Sequence, residues 1–156
     1  MMMIEQLVTS FIASAAFGLI FNVPKRTLPH CGAVGMVGWL VYVIGMQLSA
    51  GAIAATLMAS VAVTVISQLF AKQYKTPIIV FSVSGIIPLV PGGLAYDAMR
   101  NVVEDNYDLA VQLAVEAFMI SGAIAIGLVF SEVINQIIKG RGKHAIDRYA
   151  GRSDRR

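Results

Sequence analysis

Charged residues are scarce in this sequence and very unevenly placed. Asp, Glu, Lys and Arg make up 13% of its 156 residues, against about 25% in an ordinary soluble domain. Three stretches, 6–24, 27–71 and 76–96, contain none of them. A transmembrane helix needs roughly 20 predominantly apolar residues, so each stretch is long enough to cross a bilayer. This distribution excludes a soluble enzyme, a nucleic-acid-binding domain and a disordered chain, despite the net charge of +3.

Residues that carry enzymatic or metal chemistry are also scarce. The single cysteine, Cys31, excludes a disulfide framework. The two histidines, His30 and His144, belong to no cluster of histidine, cysteine and carboxylate. The sequence contains neither a phosphate-binding glycine loop nor a Ser/His/Asp set. We therefore expect no enzymatic activity, no metal site, no cofactor and no nucleic-acid partner.

Apolar segments are abundant, and five of them predict an all-α, polytopic membrane helix bundle. The charge-free stretch 27–71 is too long for one span and fits two, joined by a turn at Ser49-Ala50-Gly51. The bundle extends over residues 1–138 and is followed by a basic tail over 139–156. The predicted spans cover residues 4–21, 31–48, 52–70, 78–96 and 110–130, and the fourth is broken by proline and glycine.

Lysine and arginine predict the orientation, because short cytoplasmic loops retain them. With five crossings, the loops after the first and third spans and the tail 139–156 lie on one side. Together they hold eleven of the twelve basic residues. The N-terminus is therefore predicted outside and the C-terminus in the cytoplasm. We interpret the tail as an anchor near anionic lipid rather than as a specific partner site.

Small and polar residues recur at helical spacing in three of the predicted spans. In membrane helices such stripes usually serve close packing between neighbours, because small residues let the backbones approach. A tight bundle with a slightly polar interior is the expected result. The stripes are Gln6, Ser10, Ser14, Gly18 and Asn22 in the first span, Gly32, Gly35, Gly38 and Gly45 in the second, and Thr56, Ser60, Thr64 and Ser67 in the third.

Two prolines and two glycines interrupt the fourth span. Proline removes a backbone donor and clashes with the preceding turn, so Pro88, Pro91, Gly92 and Gly93 predict an unwound helix. The segment 78–90 supplies roughly 20 Å of helix, short of the roughly 30 Å hydrocarbon core, so the break falls inside the membrane. Discontinuous helices bind ions and substrates in transporters, and a helix restarting near Gly93 would direct free N–H groups at a carboxylate. The alternative is a plain proline kink.

One carboxylate, Glu116, lies within a predicted span and away from its ends. It follows Asp108 by roughly 12 Å of helix, where a charge costs about 2.5 kcal/mol or more unless paired, hydrated or protonated. Gln112 lies one turn earlier on the same face. We interpret Glu116 as a proton-titrating or substrate-facing group; the alternative is a polar contact to a neighbouring helix or subunit. Because the break also lies in the outer part of the bundle, we expect that the two features could meet.

Three stretches of the sequence form a recognisable set: FNVPKRTL at 21–28, CGAVG at 31–35 with Trp39, and IPLVPGGLAY at 87–96. They resemble the threonine/serine exporter family, and the resemblance covers almost the whole chain. It is to the shorter, C-terminal module of the family. The most specific element is the Pro-x-x-Pro-Gly pattern followed by Tyr96, and the Asn22-Val23-Pro24 element followed by Arg26 supports it.

The resemblance implies a multi-pass subunit of the bacterial inner membrane that exports small polar metabolites. It suggests threonine or serine as the substrate, and small dicarboxylates such as succinate for related two-subunit members. It also implies a companion membrane subunit that carries the longer N-terminal module of the family. Our hypothesis is a proton-coupled exporter in which Glu116 and Gln112 handle the proton. The substrate site is then expected at Pro88, Pro91, Gly92, Gly93 and Tyr96.

Two other functions are compatible with the same residues. A non-transporting structural or assembly subunit would use its glycine stripe only to hold a partner in the membrane. A homo-oligomeric channel would conduct without any proton gradient, and its subunits would pack through the same small residues.

Overall fold

The chain is helical throughout the part that the structure describes. A computed structural model gives the backbone over residues 2–153 and the side chains over residues 3–130, 132 and 133. Within these ranges there is no strand. The elements are α1 (Met2–Ile20), α2 (Leu28–Gln47), α3 (Gly51–Tyr74), α4 (Ile78–Ile86), a 3-10 turn (Ile87–Leu89), α5 (Gly92–Val103) and α6 (Tyr107–Ser153).

Four of the helices are long and apolar enough to cross a membrane, which confirms the predicted membrane bundle. The fourth predicted span is discontinuous, as expected: α4 with its 3-10 turn and α5 form a pair bent by 48°. This pair adds a fifth crossing if it is one span. The four continuous segments are Met3–Ile20, Leu28–Gln47, Gly51–Tyr74 and Tyr107–Phe130.

The helix after the break is longer than predicted. The predicted fourth span ends at Tyr96, but α5 continues to Val103. Charged residues support this extension, because Arg100 Nε donates to Glu104 Oε1 at 2.9 Å, one helical turn apart. The charges that follow Tyr96 therefore lie on the exposed face of a helix rather than in a loop.

The last helix also runs beyond its apolar segment. α6 extends from Tyr107 to Ser153, so it includes most of the predicted basic tail, 139–156. The side chains of that tail lie outside the described residues. Its interpretation as a lipid anchor therefore stays a prediction.

The bundle is organised around α2 and α3, which pack against each other. α1 packs on α2, while α4 packs on both α2 and α3. α6 packs on α3, and α5 lies along α6. The centre of the core contains Val34, Val63 and Phe81, one from each of α2, α3 and α4, and all three are fully buried. The chain up to the break is thus built around a common core, which α6 joins along α3, while α5 is held against α6.

Glycines allow the helices to approach this closely. A Cβ added to Gly38 would lie 2.5 Å from Val63 Cγ2, and one added to Gly45 would lie 2.9 Å from the Cβ of Ala55. Real Cβ atoms essentially never come so close to a neighbouring atom, so no side chain fits at either position. The stripe of small residues on α2 is therefore a packing seam, as the sequence predicts.

The buried hydroxyl groups of α3 and α4 are satisfied inside their own helices. Each donates to a backbone carbonyl three or four residues earlier, at 2.6–2.9 Å. Such bonds let a polar side chain lie in an apolar interior without a partner on another helix. The interior is slightly polar, as expected, but these hydroxyls need no water or ligand. They belong to Thr56, Ser60, Thr64, Ser67 and Ser84.

An aromatic cluster joins the start of α2 to the end of α3. His30 Nε2 and the Tyr74 hydroxyl are 2.6 Å apart and share a hydrogen bond. The His30 ring also meets Phe70 edge-on, with centroids 5.4 Å apart, and Phe70 packs on Phe81 of α4 at 5.9 Å. Three helix ends are thereby held together by ring packing and one polar bond.

Removing the Tyr74 hydroxyl tests the polar part of this cluster. We expect Tyr74→Phe to lower the free energy of unfolding by about 1 kcal/mol, because the ring packing stays while the hydrogen bond is lost. The check is the thermal midpoint of the purified protein in detergent. Tyr96→Phe is the matched control for stability, because Tyr96 is 69% exposed and has no hydrogen bond among the described residues. Equal midpoints for both variants would contradict the expectation.

Candidate functional site

The candidate site is the break between α4 and α5. α4 ends at Ile86, the 3-10 turn follows, and Val90 is extended, with φ −64° and ψ 128°. α5 then starts at Gly92, close to the predicted restart at Gly93. A short bond from the Gly92 N–H to the Val90 carbonyl, 2.8 Å, closes the turn. The break is therefore an ordered feature, with its own hydrogen bonds.

Two missing N–H groups explain why the helix breaks here. Pro88 cannot donate to the carbonyl of Ser84, and Pro91 cannot donate to the carbonyl of Ile87. The Ile87 carbonyl accepts instead from the Val90 N–H at 3.3 Å, which tightens the chain into a 3-10 turn. The first N–H groups of α5 have no partner further up their own helix. Unwound backbone and a free helix start therefore occur together.

The proposed substrate residues lie on two sides of the break. Pro88 faces the bundle, because a Cβ on Gly35 of α2 would lie 3.5 Å from Pro88 Cγ. Gly92 and Gly93 are exposed, and a Cβ on either would meet no atom within 4 Å. Tyr96 is 69% exposed. The break thus has a bundle side at Pro88 and an open side at the start of α5.

Glu116 lies on a different surface, in an open groove of about 820 Å³ between α3 and α6. Gln112 lines the same groove one turn away, as predicted from the helical spacing. The α3 wall is made of small and aliphatic residues, among them Gly51, Ala54 and Leu57. Among the described residues, no side chain hydrogen-bonds to or forms an ion pair with the Glu116 carboxylate. The groove therefore presents one carboxylate within an apolar surface.

The structure does not bring Glu116 and the break together. No residue between 87 and 96 lines the groove that contains Glu116. α5 instead covers the neighbouring face of α6, where Ala95 and Ala98 lie opposite Ala114 and Ala117. The expectation that Glu116 and the break could meet is wrong for this conformation. The Glu116 face of α6 lies toward α3, and its alanine face lies toward α5.

The Asn22, Pro24 and Arg26 element builds the turn between α1 and α2. Asn22 adopts φ 53°, in the left-handed region where asparagine is more tolerated than most residues. The Thr27 hydroxyl and N–H both donate to the Pro24 carbonyl at 2.8 Å. Val23 is buried beneath the turn, while Arg26 is exposed. This arrangement is consistent with a structural role for the element.

Three polar atoms are shielded from solvent and have no hydrogen-bond partner among the described residues: Ser14 Oγ, His30 Nδ1 and Trp39 Nε1. The sequence does not predict their lack of a partner. Ser14 belongs to the predicted stripe on α1, but its spacing does not distinguish it from the other serines. Within the same described ranges, no group of three or more His, Cys, Asp or Glu residues could hold a metal ion.

A membrane bundle with one broken helix among its candidate spans is an arrangement also found in transporters. Residues 6–134 match a family model described as Threonine/Serine exporter, ThrE. The chain therefore belongs to the threonine/serine exporter family, which confirms the resemblance found in the sequence. This is a family of membrane exporters of threonine and serine, and not an enzyme family. No solved structure matches the chain.

Proposed function

We propose that the chain is the membrane subunit of a proton-coupled secondary exporter of small polar metabolites. The substrate is threonine or serine, or a small dicarboxylate such as succinate. The observation that carries this proposal is the ordered break at residues 87–91, in a chain of the exporter family. Discontinuous membrane helices place unpaired backbone groups at the depth where transporters bind their cargo.

The open side of the break is suited to a carboxylate. The first N–H groups of α5 carry the positive end of the helix dipole, which favours an anionic group. Gly92 and Gly93 have no side chains, so a ligand can approach the backbone closely. Tyr96 is exposed one turn further along α5, and its hydroxyl is available as a donor. Pro88 and Pro91 keep the segment unwound.

Glu116 is the residue we assign to proton coupling. It is the one titratable side chain among the residues lining its groove, and Gln112 is its polar neighbour. A carboxylate can carry a proton, and a charge within the membrane is costly unless it is paired or hydrated. In this proposal, protonation of Glu116 removes its charge and so changes which groups can pack against the groove between α3 and α6.

A companion membrane subunit and the bacterial inner membrane complete the proposal. Large apolar side chains are exposed on α5 and α6, with Val103 at 77% and Phe118 at 80%. In a bilayer these surfaces face lipid or another subunit. A five-span module can pair with an oppositely inserted module, which is a common transporter layout. The distribution of basic residues supports an outside N-terminus and a cytoplasmic C-terminus.

Efflux measurements test the substrate proposal. Cells loaded with labelled threonine, serine or succinate should release at least one of them severalfold faster when the chain and its companion are present. Cells lacking either subunit are the control. Unchanged efflux of all three compounds would contradict the proposed substrates.

The same assay separates the two other functions. A structural subunit predicts that Pro91→Ala and Glu116→Gln leave efflux intact, while Phe118→Ser on the exposed surface of α6 disrupts the complex. A homo-oligomeric channel predicts flux that persists after the proton gradient is collapsed. Co-purification of the companion with the wild-type chain, and its loss in Phe118→Ser, would test the partnership directly.

A further inference from the structure

A stripe of polar residues runs along α5, on the side that faces away from α6. Its members follow one another at spacings of three and four residues, which places them on one face of the helix. The opposite face, with Ala95, Ala98 and Val102, lies against α6. The whole stripe is exposed except for Asn101, which is half-buried. The polar stripe consists of Gly93, Tyr96, Asp97, Arg100, Asn101 and Glu104.

Much of the polar stripe lies at membrane depth when α4 and α5 form one span. α4 and the turn after it supply roughly 20 Å, which leaves roughly 10 Å of the hydrocarbon core to cross. Because α5 is bent by 48° from α4, it advances by only about 1 Å per residue along the direction of α4. About ten residues of α5 are therefore needed, and these include Tyr96, Asp97 and Arg100. Charged groups at such depth face water or protein, because contact with lipid tails is costly.

Within the described residues, Asp97 is the charged member of the polar stripe that has no ion-pair partner. Arg100 Nε donates to Glu104 Oε1 at 2.9 Å, so those two charges compensate each other. Arg100 acts on Asp97 only through its charge, at longer range. The amide of Asn101 donates to the backbone carbonyl of Asp97 and not to its carboxylate. Because ionisable groups at membrane depth mark substrate and ion pathways, this carboxylate is a candidate ligand-binding group.

Asp97 lies next to the place proposed for the substrate carboxylate. Four residues separate it from Gly93, so the two lie on one face of α5, about 6 Å apart along the helix axis. Side chains in a helix lean toward its N-terminus, and this brings the Asp97 carboxylate toward the start of α5. The space over Gly93 is open, since a Cβ there would meet no atom within 4 Å. A small molecule with an ammonium group and a carboxylate on the same carbon fits between the two positions.

We propose that Asp97 binds the ammonium group of the exported molecule while the start of α5 binds its carboxylate, so that the site selects amino acids. This inference rests on the proposed function, since it chooses among the substrates named there. An ammonium group donates charge-assisted hydrogen bonds to the Asp97 carboxylate. A dicarboxylate such as succinate would place its second carboxylate beside Asp97, where like charges repel each other. Asp97 is therefore the specificity-determining residue of the site.

Cysteine labelling tests whether the polar stripe borders water. Arg100→Cys on the stripe and Met99→Cys beside it lie at the same depth, and both positions are exposed. In unsealed membranes that contain both subunits, a charged thiol reagent should label Arg100→Cys severalfold faster, because the reactive thiolate forms in water and not among lipid tails. The wild type is the blank, since its single cysteine, Cys31, is buried. Equal labelling rates would overturn the assignment of this face to an aqueous site.

Matched ligands test the contact to Asp97 itself. 2,3-Dihydroxybutyrate is threonine with a hydroxyl group in place of the ammonium group. Each compound is titrated against the full-length chain, purified together with its companion, and its dissociation constant is measured by calorimetry. We expect the wild type to bind L-threonine about 10- to 100-fold more tightly than 2,3-dihydroxybutyrate, because a charge-assisted bond is lost. In Asp97→Asn the two affinities should become similar, and succinate should bind more tightly than it does to the wild type.

The gain in succinate binding separates recognition from stability, because a misfolded variant cannot gain affinity. Asp108→Asn is the matched control, since Asp108 is also exposed but lies on α6, outside the polar stripe. It should bind all three compounds as the wild type does. An unchanged preference for L-threonine in Asp97→Asn would overturn the proposal, and so would a wild type that binds none of the compounds or binds succinate as tightly as L-threonine. The efflux assay judges the proposed function separately, because export of threonine with an unchanged preference in Asp97→Asn rejects the role of Asp97 and not the exporter.

Discussion

Gly85→Leu is expected to lower the free energy of unfolding by about 3 kcal/mol or more, the largest stability effect of any change proposed for this chain. A Cβ at Gly85 of α4 would lie 2.5 Å from Val34 Cγ1 and 2.9 Å from Val63 Cγ1. Both valines are 0% exposed, and their branched side chains have one strongly preferred rotamer in a helix. Neither can move aside, so α4 has to separate from α2 and α3.

Gly122→Leu is the matched control for this substitution. Gly122 also lies within a helix, but a Cβ there would meet no atom within 4 Å. It should leave the bundle intact, and the higher helix propensity of leucine stabilises it slightly. The measurement is the thermal midpoint in detergent, together with the fraction of monodisperse protein after heating. Equal midpoints for both variants would show that the glycine in α4 does not set the helix spacing.

Glu116→Gln is expected to abolish the pH dependence of efflux, which is the largest functional effect we predict. Glutamine keeps the size and polarity of the side chain but can neither gain nor lose a proton. The α3 wall of the groove, residues 50–57, offers no other titratable group. Efflux of labelled threonine from wild-type cells should change severalfold when the external pH is varied, whereas the variant should give a flat profile.

Glu104→Gln carries the same chemical change at a position outside the groove. Glu104 is paired with Arg100, both side chains are about half exposed, and neither lines the groove. We expect its pH profile to match that of the wild type. Full retention of pH-dependent transport in Glu116→Gln would remove Glu116 from the mechanism. It would favour the reading of this carboxylate as a polar contact to a neighbouring subunit.

The membrane bundle could be predicted because each span needs a long apolar segment, and such segments are visible in a single sequence. A span needs roughly 20 apolar residues, and stretches without charge mark it regardless of which helices later pack together. The end of α5 was harder to predict, because Arg100 and Glu104 look like the start of a loop. Their spacing of one turn is also typical of a helix, and only the structure shows that the helix continues through them.

The candidate site could be predicted only in its local part. The break follows from two prolines without N–H groups, which is a property of the chain itself. The shared face of Gln112 and Glu116 follows from helical periodicity. Which neighbour that face meets is set by packing, and α6 directs it toward α3 rather than toward the break. A stripe of small residues likewise does not predict that the Ser14 hydroxyl has no hydrogen-bond partner among the described residues.

The two sides of the break belong to different parts of the molecule. Pro88 packs toward Gly35 and Ser14 in the first part, whereas Gly92 and Gly93 begin the hairpin made by α5 and α6. Residues 90–91 are the only covalent link between these parts, and the α3–α6 seam is their main contact. A ligand bound by both sides would therefore contact both parts across the link at residues 90–91. Binding at either side would then favour a particular orientation of the α5–α6 hairpin relative to the first part.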